Sequence, residues 1–307
     1  MKANTKMLYV VLLAAAIVAP LVGAYPGFLM KALCFALFAC AFNLLVGFTG
    51  LLSFGHAAFL GTGGYVAGYA IKSMVLPFEI SIIAGVIAAA AIGYLVGSLA
   101  IRRQGIYFSM ITLALSQLIY FIYLQAPFTG GEDGIQGIPR GKLLGMIDLE
   151  NDLVFYYVVL AIFLFGFWLV YRTIHSPFGQ VLKSIRENEP RAISLGYDVD
   201  KYKLLAFVIS AGLAGLAGST KTISLHLASL TDVTWQASGE VVLMTLLGGL
   251  GTILGPVVGA IIVVTLQNYL ASYGSWVTVI MGVIFVVCVL AFRRGVVGEL
   301  RAAFNRP

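Results

Sequence analysis

Hydrophobic residues along this chain fall into long uninterrupted runs, and their length sets the first expectation. A helix crosses a bilayer core of about 30 Å with about 20 apolar residues, roughly 17 to 25 being usual. Runs of this kind lie at 8–24, 28–47, 55–71, 79–100, 105–125, 153–172, 204–222, 237–250, 253–271 and 276–292. The predicted fold class is all-α: a polytopic membrane helical bundle of about 8–10 transmembrane helices, broken or re-entrant segments among them. The run at 237–250 is short and glycine-rich at its end, which marks it as a candidate broken helix.

Polar residues gather between the runs, and their signs separate. With the amino terminus inside, Lys2, Lys6, Arg102, Arg103, the basic residues of 172–203 and those from Arg293 onward put 14 of the 19 basic residues on the cytoplasmic side. The 127–152 loop then faces outward, and there Glu132, Asp133, Asp148, Glu150 and Asp152 outnumber Arg140 and Lys142. This satisfies the positive-inside rule and predicts cytoplasmic amino and carboxyl termini. The first run also has the basic start and short apolar core of a cleavable signal peptide, but the orientation count favours a retained span. Trp235 and Trp276 fit interfacial aromatic belts.

Two glycine-rich stretches interrupt the apolar pattern. One is VGFTGLLSFGH from Val46, followed by Gly61, Gly63 and Gly64; the other is LGGLGTILGP from Leu247. Such residues at membrane depth leave backbone groups that only protein or a watery cavity can satisfy, and interruptions in both halves of a chain point to a transport path. Close packing through small residues is the alternative, and Gly212, Gly215 and Gly218 suit it. Ionisable groups within apolar runs are costly and draw notice, here Glu240, His56 and Lys221. With Thr49, Ser53, Thr62, Tyr107 and Ser109, Glu240 and His56 are candidates to line a path for a small polar solute.

The 176–203 segment is the long charged stretch between spans, and local signals divide it into two short helices. Ser176 suits an N-cap and Pro177 the first helical position. Phe178, Val181, Leu182 and Ile185 then share one face, so this helix is expected to lie along the membrane surface or under a partner. A second start follows at Asn188 or Glu189, Pro190 opens it, and Gly196 stands where helices commonly stop. That predicts a helix of barely two turns over 190–195, marginal unless a partner or the rest of the loop holds it.

Composition agrees with a membrane protein. Hydrophobic residues are 60% and charged residues 10% of 307 positions, with mean hydropathy +0.98, whereas soluble chains carry roughly 25% charged residues. The basic excess (19 against 13) reads as loop bias and not as a nucleic-acid surface. Cys34, Cys40 and Cys288 lie in apolar runs without metal-site spacing, and no HExxH or paired metal ligands occur, so no metal and no catalytic residue is expected. An ATP-binding chain would need G-x-x-x-x-G-K followed by Ser or Thr. The nearest approach, GLAGSTKT from Gly215, has Thr220 in place of the second glycine and sits beside an apolar span. ATP hydrolysis therefore has no seat here, and a self-sufficient secondary transporter or channel, or more distantly a membrane enzyme, stays open on the residues alone.

SPFGQVLKSIRENEPRAISLGYDVDKYKLLAFVISAGLAGLAG from Ser176 resembles the permease subunits of branched-chain amino acid ABC transporters, of the LivM type. So do NLLVGFTGLLSFGHAAFLGTGGYVAGY from Asn43, RRQGIYFSMITLALSQ from Arg102 and SGEVVLMTLLGGLGTILGPVVGA from Ser238, in the same order along nearly the whole chain. The resemblance implies one transmembrane permease domain over 1–307, with 173–203 as a cytoplasmic coupling loop and 127–152 as an external loop. It implies the permease of an importer for leucine, isoleucine and valine or related small amino acids and amides, in a bacterial or archaeal inner membrane. The implied partners are a homologous second permease, two ATP-binding subunits carrying ATP and Mg, an external substrate-binding protein and membrane lipid, with no nucleic acid. In such importers the loop carries a Glu-Ala-Ala…Gly pattern. Glu189, Ala192 and Gly196 align with it, while Pro190 and Arg191 interrupt it. The implied ATPase-coupling residues are Arg186, Glu187, Glu189, Pro190, Arg191, Ala192 and Gly196.

Overall fold

The computed structural model describes residues 13–143, 145–274, 276–291 and 295–304. Lys2, Lys6, Arg293, Arg294 and Arg306 of the orientation count and residues 8–12 of the first expected span lie outside these, as do the side chains of Cys288 and Arg301. Residues 13–18 are helical, and a turn over 19–23 separates them from the first long helix. The helices are α1 Pro26–Thr49, α2 His56–Lys72, α3 Phe78–Ala100, α4 Ile106–Gln125, α5 Asp152–Ile174, α6 Pro177–Glu187, α7 Glu189–Ser194, α8 Val199–Ser224, α9 Trp235–Gly248, α10 Gly255–Leu270, α11 Trp276–Ala291 and α12 Gly295–Phe304. This is the expected polytopic helical bundle.

Five of these helices, α1, α3, α4, α5 and α8, are long and apolar enough to cross a membrane unaided. The 14 residues of α9, at 1.5 Å each, reach about 21 Å and fall short of a ~30 Å core. It is the broken element foreseen for 237–250. In place of a longer helix, a 3-10 turn at Leu230–Val233 packs on the middle of α2, where a Cβ on Gly61 would meet Val233 Cγ2 at 2.3 Å.

α1 is the axis of the bundle. From Cys34 to Leu45 every residue is buried, as an apolar helix enclosed on all sides should be. It packs on α5, α8, α9 and α10, while α8 packs on α2 and α3. Outer faces of α3, α4 and α5 expose Ile83, Ile87, Leu118, Phe121, Phe165 and Trp168, an apolar surface suited to lipid.

Glycine sets how closely α2, α3 and α8 approach. A Cβ on Gly63 would lie 2.3 Å from Gly215 O, one on Gly218 1.8 Å from Leu60 O, and one on Gly85 2.6 Å from Gly63 O. Ser219 Oγ donates to Gly63 O at 2.9 Å. Small residues here let backbones touch. Gly61, Gly63 and Gly64, placed with the first interruption in the sequence, lie instead inside the continuous helix α2, as a packing face. Gly212, grouped with Gly215 and Gly218, has no neighbour closer than Ala90 Cβ at 3.7 Å.

The described residues of the 127–152 segment lie over the end of the bundle that carries the carboxyl ends of α2, α4 and α8. Strand β1 Ile135–Gln136 pairs antiparallel with β4 Leu227–Ala228, and β2 Lys142–Leu143 with β3 Ile147–Asp148. Arg140, 5% exposed, fastens it. Its Nη1 bonds Asp152 Oδ1 at 2.6 Å, its Nη2 donates to Ser224 O at 3.2 Å, and its guanidinium lies 4.7 Å from the Phe155 ring centroid.

Candidate coupling loop and glycine-rich breaks

The loop helices form as their sequence signals require. Ser176 caps α6, accepting from Gly179 N at 3.3 Å, with Pro177 opening the helix. Asn188 caps α7, accepting from Arg191 N at 3.1 Å. Gly196 then turns the chain with φ +86°, a conformation glycine adopts without penalty, and Asp198 caps α8 through Lys201 N. The Lys201 ammonium and amide, both hydrogen-bonded to Asp198, hold its carboxyl below the usual range.

The loop holds α7 itself. Ile185, Ala192 and Val199 form a small buried core flanked by Val181 and Tyr202, and Phe178 stacks on Tyr202 at 5.6 Å. Leu182 and Ile185 are buried in the chain's own packing. The apolar face of α6 is therefore closed against its own chain, contrary to the expected membrane or partner seat. Glu189 is also engaged internally: Lys203 Nζ, on a side chain 4% exposed, meets its Oε1 at 2.7 Å, and Gln104 Nε2 donates to the same oxygen at 2.9 Å. What the loop presents outward includes Ile193 (57% exposed), Leu195 (67%) and Tyr197, with Glu187 and Arg191 also exposed on the same loop. None of these apolar residues was among the expected coupling residues, although Ile193 lies about 100° around α7 from the buried Ala192.

The first glycine-rich stretch is a true break. α1 ends at Thr49, Gly50 takes φ +79°, and six residues run non-helically to α2. Side chains from distant helices satisfy the freed backbone, as burial requires. Ser109 Oγ donates to Leu52 O at 2.7 Å, Phe54 N donates to Thr112 Oγ1 at 3.3 Å, and Ala57 N donates to Ser238 Oγ at 3.0 Å. Ser53 Oγ accepts from Gly55 N at 3.3 Å, and Thr49 bonds back to Leu45 O.

The second break, between α9 and α10, meets the end of α1. Asn43 Nδ2 donates to Thr252 O at 2.8 Å and its Oδ1 accepts from Gly251 N at 3.0 Å. Thr252 in turn bonds Gly249 O and Gly255 N. Arg186 reaches from α6 to the same place, donating through Nη1 to Gly47 O. The two interruptions thus share one corner of the bundle.

The remaining path candidates scatter. His56 is wholly buried among Phe38, Phe42, Phe59 and Phe207. Its Nε2 lies 2.9 Å from Ser210 Oγ, which also bonds Ala41 O. This is a packed, hydrogen-bonded position next to the first break. Thr62 bonds back to Ala58 O inside α2. Tyr107 is 72% exposed at the start of α4, away from the break that Ser109 supports. Glu240 lies toward the other end of the bundle, hydrogen-bonded to Gln267 and within electrostatic reach of Lys31 and Lys221. Lys221 is ion-paired with Asp232 and lies 5.3 Å from the Phe35 ring centroid. The GLAGSTKT run lies wholly within α8, where no phosphate-cradling loop can form. Among the described residues, no three His, Cys, Asp or Glu side chains converge as metal ligands.

These features define a class: a multi-pass helical membrane protein with two non-helical, glycine-rich breaks beside a two-helix loop at one end. The chain belongs to the family of branched-chain amino acid transport system permease components, whose model matches residues 24–290. It is 28% identical over 272 residues to the high-affinity branched-chain amino acid transport system permease protein LivM of Escherichia coli, covering 81% of this chain and 64% of that protein. A probable LivM of Methanocaldococcus jannaschii is 27% identical, covering 76% and 70%. The ribose import permease protein RbsC of Bacillus subtilis is 29% identical over a shorter stretch, 61% and 58%. No solved structure matches the chain.

Proposed function

We propose that this chain is the membrane permease subunit of an ATP-driven importer for leucine, isoleucine and valine or closely related small amino acids and amides. Loop charge supports a cytoplasmic position for α6, α7 and both termini in a bacterial or archaeal inner membrane, with the 127–152 segment outside. The assembly comprises a homologous second permease, two ATP-binding subunits that carry ATP and Mg, and an external substrate-binding protein. The observation that carries this reading is the loop: a two-helix unit with its own core that leaves Ile193, Leu195 and Tyr197 uncovered along with Glu187 and Arg191. Exposed apolar side chains on a loop that also exposes charges suit a protein partner.

In this mechanism α7 sits in a groove of an ATP-binding subunit and moves with it when two such subunits close on ATP. Because α7 shares a core with α6 and α8 and is tied to Gln104 and Lys203, its displacement tilts the attached spans. Access to a path beside the glycine-rich breaks then alternates, with Thr49, Ser53 and Ser109 near it. The chain contributes binding surface and motion, and hydrolysis takes place on the partner.

The test is reconstitution in liposomes. With ATP-binding subunits and binding protein present, leucine uptake should require ATP. Ile193→Asp should abolish it and prevent recovery of the ATP-binding subunit in pull-downs, while detergent stability stays within about 0.5 kcal/mol of the parent, as for an exposed position. Uptake by the purified chain alone, down an ion gradient, would overturn the reading in favour of a secondary transporter.

A further inference from the structure

We infer that Arg186 is the residue that transmits motion of the loop helices to both glycine-rich breaks; this rests on the importer reading above. The contact chain is continuous. Ala192 of α7 and Ile185 of α6 share the loop core, and Arg186 follows Ile185 directly. Its side chain crosses a saddle between two glycines of opposite ends of the sequence. A Cβ on Gly50 would meet Arg186 Cγ at 3.4 Å, and a Cβ on Gly251 would meet its Nη1 at 3.2 Å. Both glycines have positive φ, +79° and +73°, so the saddle depends on residues that alone adopt this backbone freely.

The guanidinium meets a group that needs it. Gly47 O is among the last four carbonyls of α1, which have no partner within the helix, and the carboxyl end of a helix dipole favours a cation. Arg186 Nη1 supplies the bond. One turn earlier on α6, Lys183 Nζ lies 5.8 Å from the Phe48 ring centroid, so two basic side chains grip the same end of α1. Asn43 extends the connection, its amide clamping Gly251 N and Thr252 O. Displacing α6 therefore pulls on the last turn of α1, on the start of the first break and, through Asn43, on the second. Arg186 is expected from the resemblance to contact the ATPase; it is exposed on α6 and its guanidinium also bonds Gly47 O, which adds a positioning role.

The test uses the full importer in proteoliposomes, with ATP inside, binding protein and radiolabelled leucine outside, and uptake and hydrolysis measured on the same sample. Whatever its rate of hydrolysis, Arg186→Ala should move at least about tenfold fewer leucine molecules per ATP, the factor that corresponds to one lost charge-assisted hydrogen bond. Arg186→Lys, which keeps the charge and a donor, should recover part of that ratio, and Asn43→Ala should lower it as Arg186→Ala does. An unchanged ratio in Arg186→Ala overturns the inference. If Arg186→Ala fails to assemble, a wild-type ratio in Asn43→Ala overturns it instead. A parent importer that couples normally beside an unaffected Arg186→Ala refutes this inference alone, whereas a parent inert to ATP with all partners present refutes the importer reading and this inference with it.

Discussion

Reversing the charge of Glu189 tests the internal architecture of the loop without reference to any partner. Glu189 Oε1 lies 2.7 Å from Lys203 Nζ, with side chains 23% and 4% exposed. Glu189→Lys replaces this pair with two ammonium groups. At about 4 Å and an effective dielectric constant near 20, that repulsion is roughly 4 kcal/mol. The new lysine reaches water more easily than Lys203, so part is relieved by swinging outward, and the expected loss is about 2–3 kcal/mol with Lys203 left unpaired. Melting in detergent should fall by several degrees, and ATP-dependent uptake should be lost in the assembled importer. Glu189→Gln, which keeps an acceptor, should cost less.

The double variant Glu189→Lys with Lys203→Glu separates the pair from its members. Lys203 lies early in α8, where a carboxylate suits the helix dipole, whereas Glu189 opens α7, where a lysine costs about 0.3–1 kcal/mol. The swap should therefore restore most, and not all, of the lost stability. Gln104 can turn its amide to accept from the new lysine. Thermal unfolding of the four proteins forms a double-mutant cycle. A coupling indistinguishable from zero, or a Glu189→Lys protein that melts with the parent, would refute the assignment of Glu189 to an internal ion pair.

Two further outcomes follow from packing. Gly218→Ala drives a methyl group to 1.8 Å from Leu60 O; both sides are backbone, so no rotamer relieves it, and the loss should reach about 3 kcal/mol or prevent assembly. Gly212→Ala, with its nearest neighbour at 3.7 Å, should stay within about 1 kcal/mol of the parent, on the stabilising side through helix propensity; equal melting of the two variants would contradict the account. Arg140→Ala should free the 127–152 segment at a cost of about 2–4 kcal/mol from its lost charge-assisted hydrogen bonds and ring contact. Limited proteolysis should then cut within that segment, while the exposed Lys142→Ala keeps the parent pattern.

Local chemistry carried most of what the sequence could say. The caps Ser176 and Asn188, the openers Pro177 and Pro190 and the stop at Gly196 each act within a few residues, so both loop helices were legible to within a residue or two. The shortness of α9 was legible from its glycines. Pairings over long separations were not. Nothing near Glu189 announces Gln104 or Lys203, and nothing near Leu52, Phe54 or Ala57 announces that Ser109, Thr112 and Ser238 will complete their hydrogen bonds. Periodicity showed that α6 has an apolar face but not what covers it, because a partner, a lipid surface and the chain itself ask for the same residues. Gly61, Gly63 and Gly64 had the composition of a break, and their role as a packing face depends on where Gly215 and Val233 arrive.

Backbone contact is close in both parts of the bundle, and what differs is which groups satisfy the backbone. Where α2, α3 and α8 meet, backbone lies on backbone within distances that exclude even a methyl group, and an interface packed so closely is bistable or rigid and does not slide. At the breaks backbone contact is as close, a Cβ on Gly55 meeting Thr112 O at 2.3 Å and one on Gly248 meeting Gly255 O at 1.9 Å. The freed amides and carbonyls there, however, are held by side chains: hydroxyls, the Asn43 amide and Arg186, each neutral bond worth about 1 kcal/mol net. Thr49, Thr62 and Thr245, all bonded back into their own helices, show that such side chains keep local alternatives. On the importer reading, a force entering through α6 would reach these side-chain bonds first, through Arg186 and Asn43, and they, not the helix block, are the bonds it would exchange.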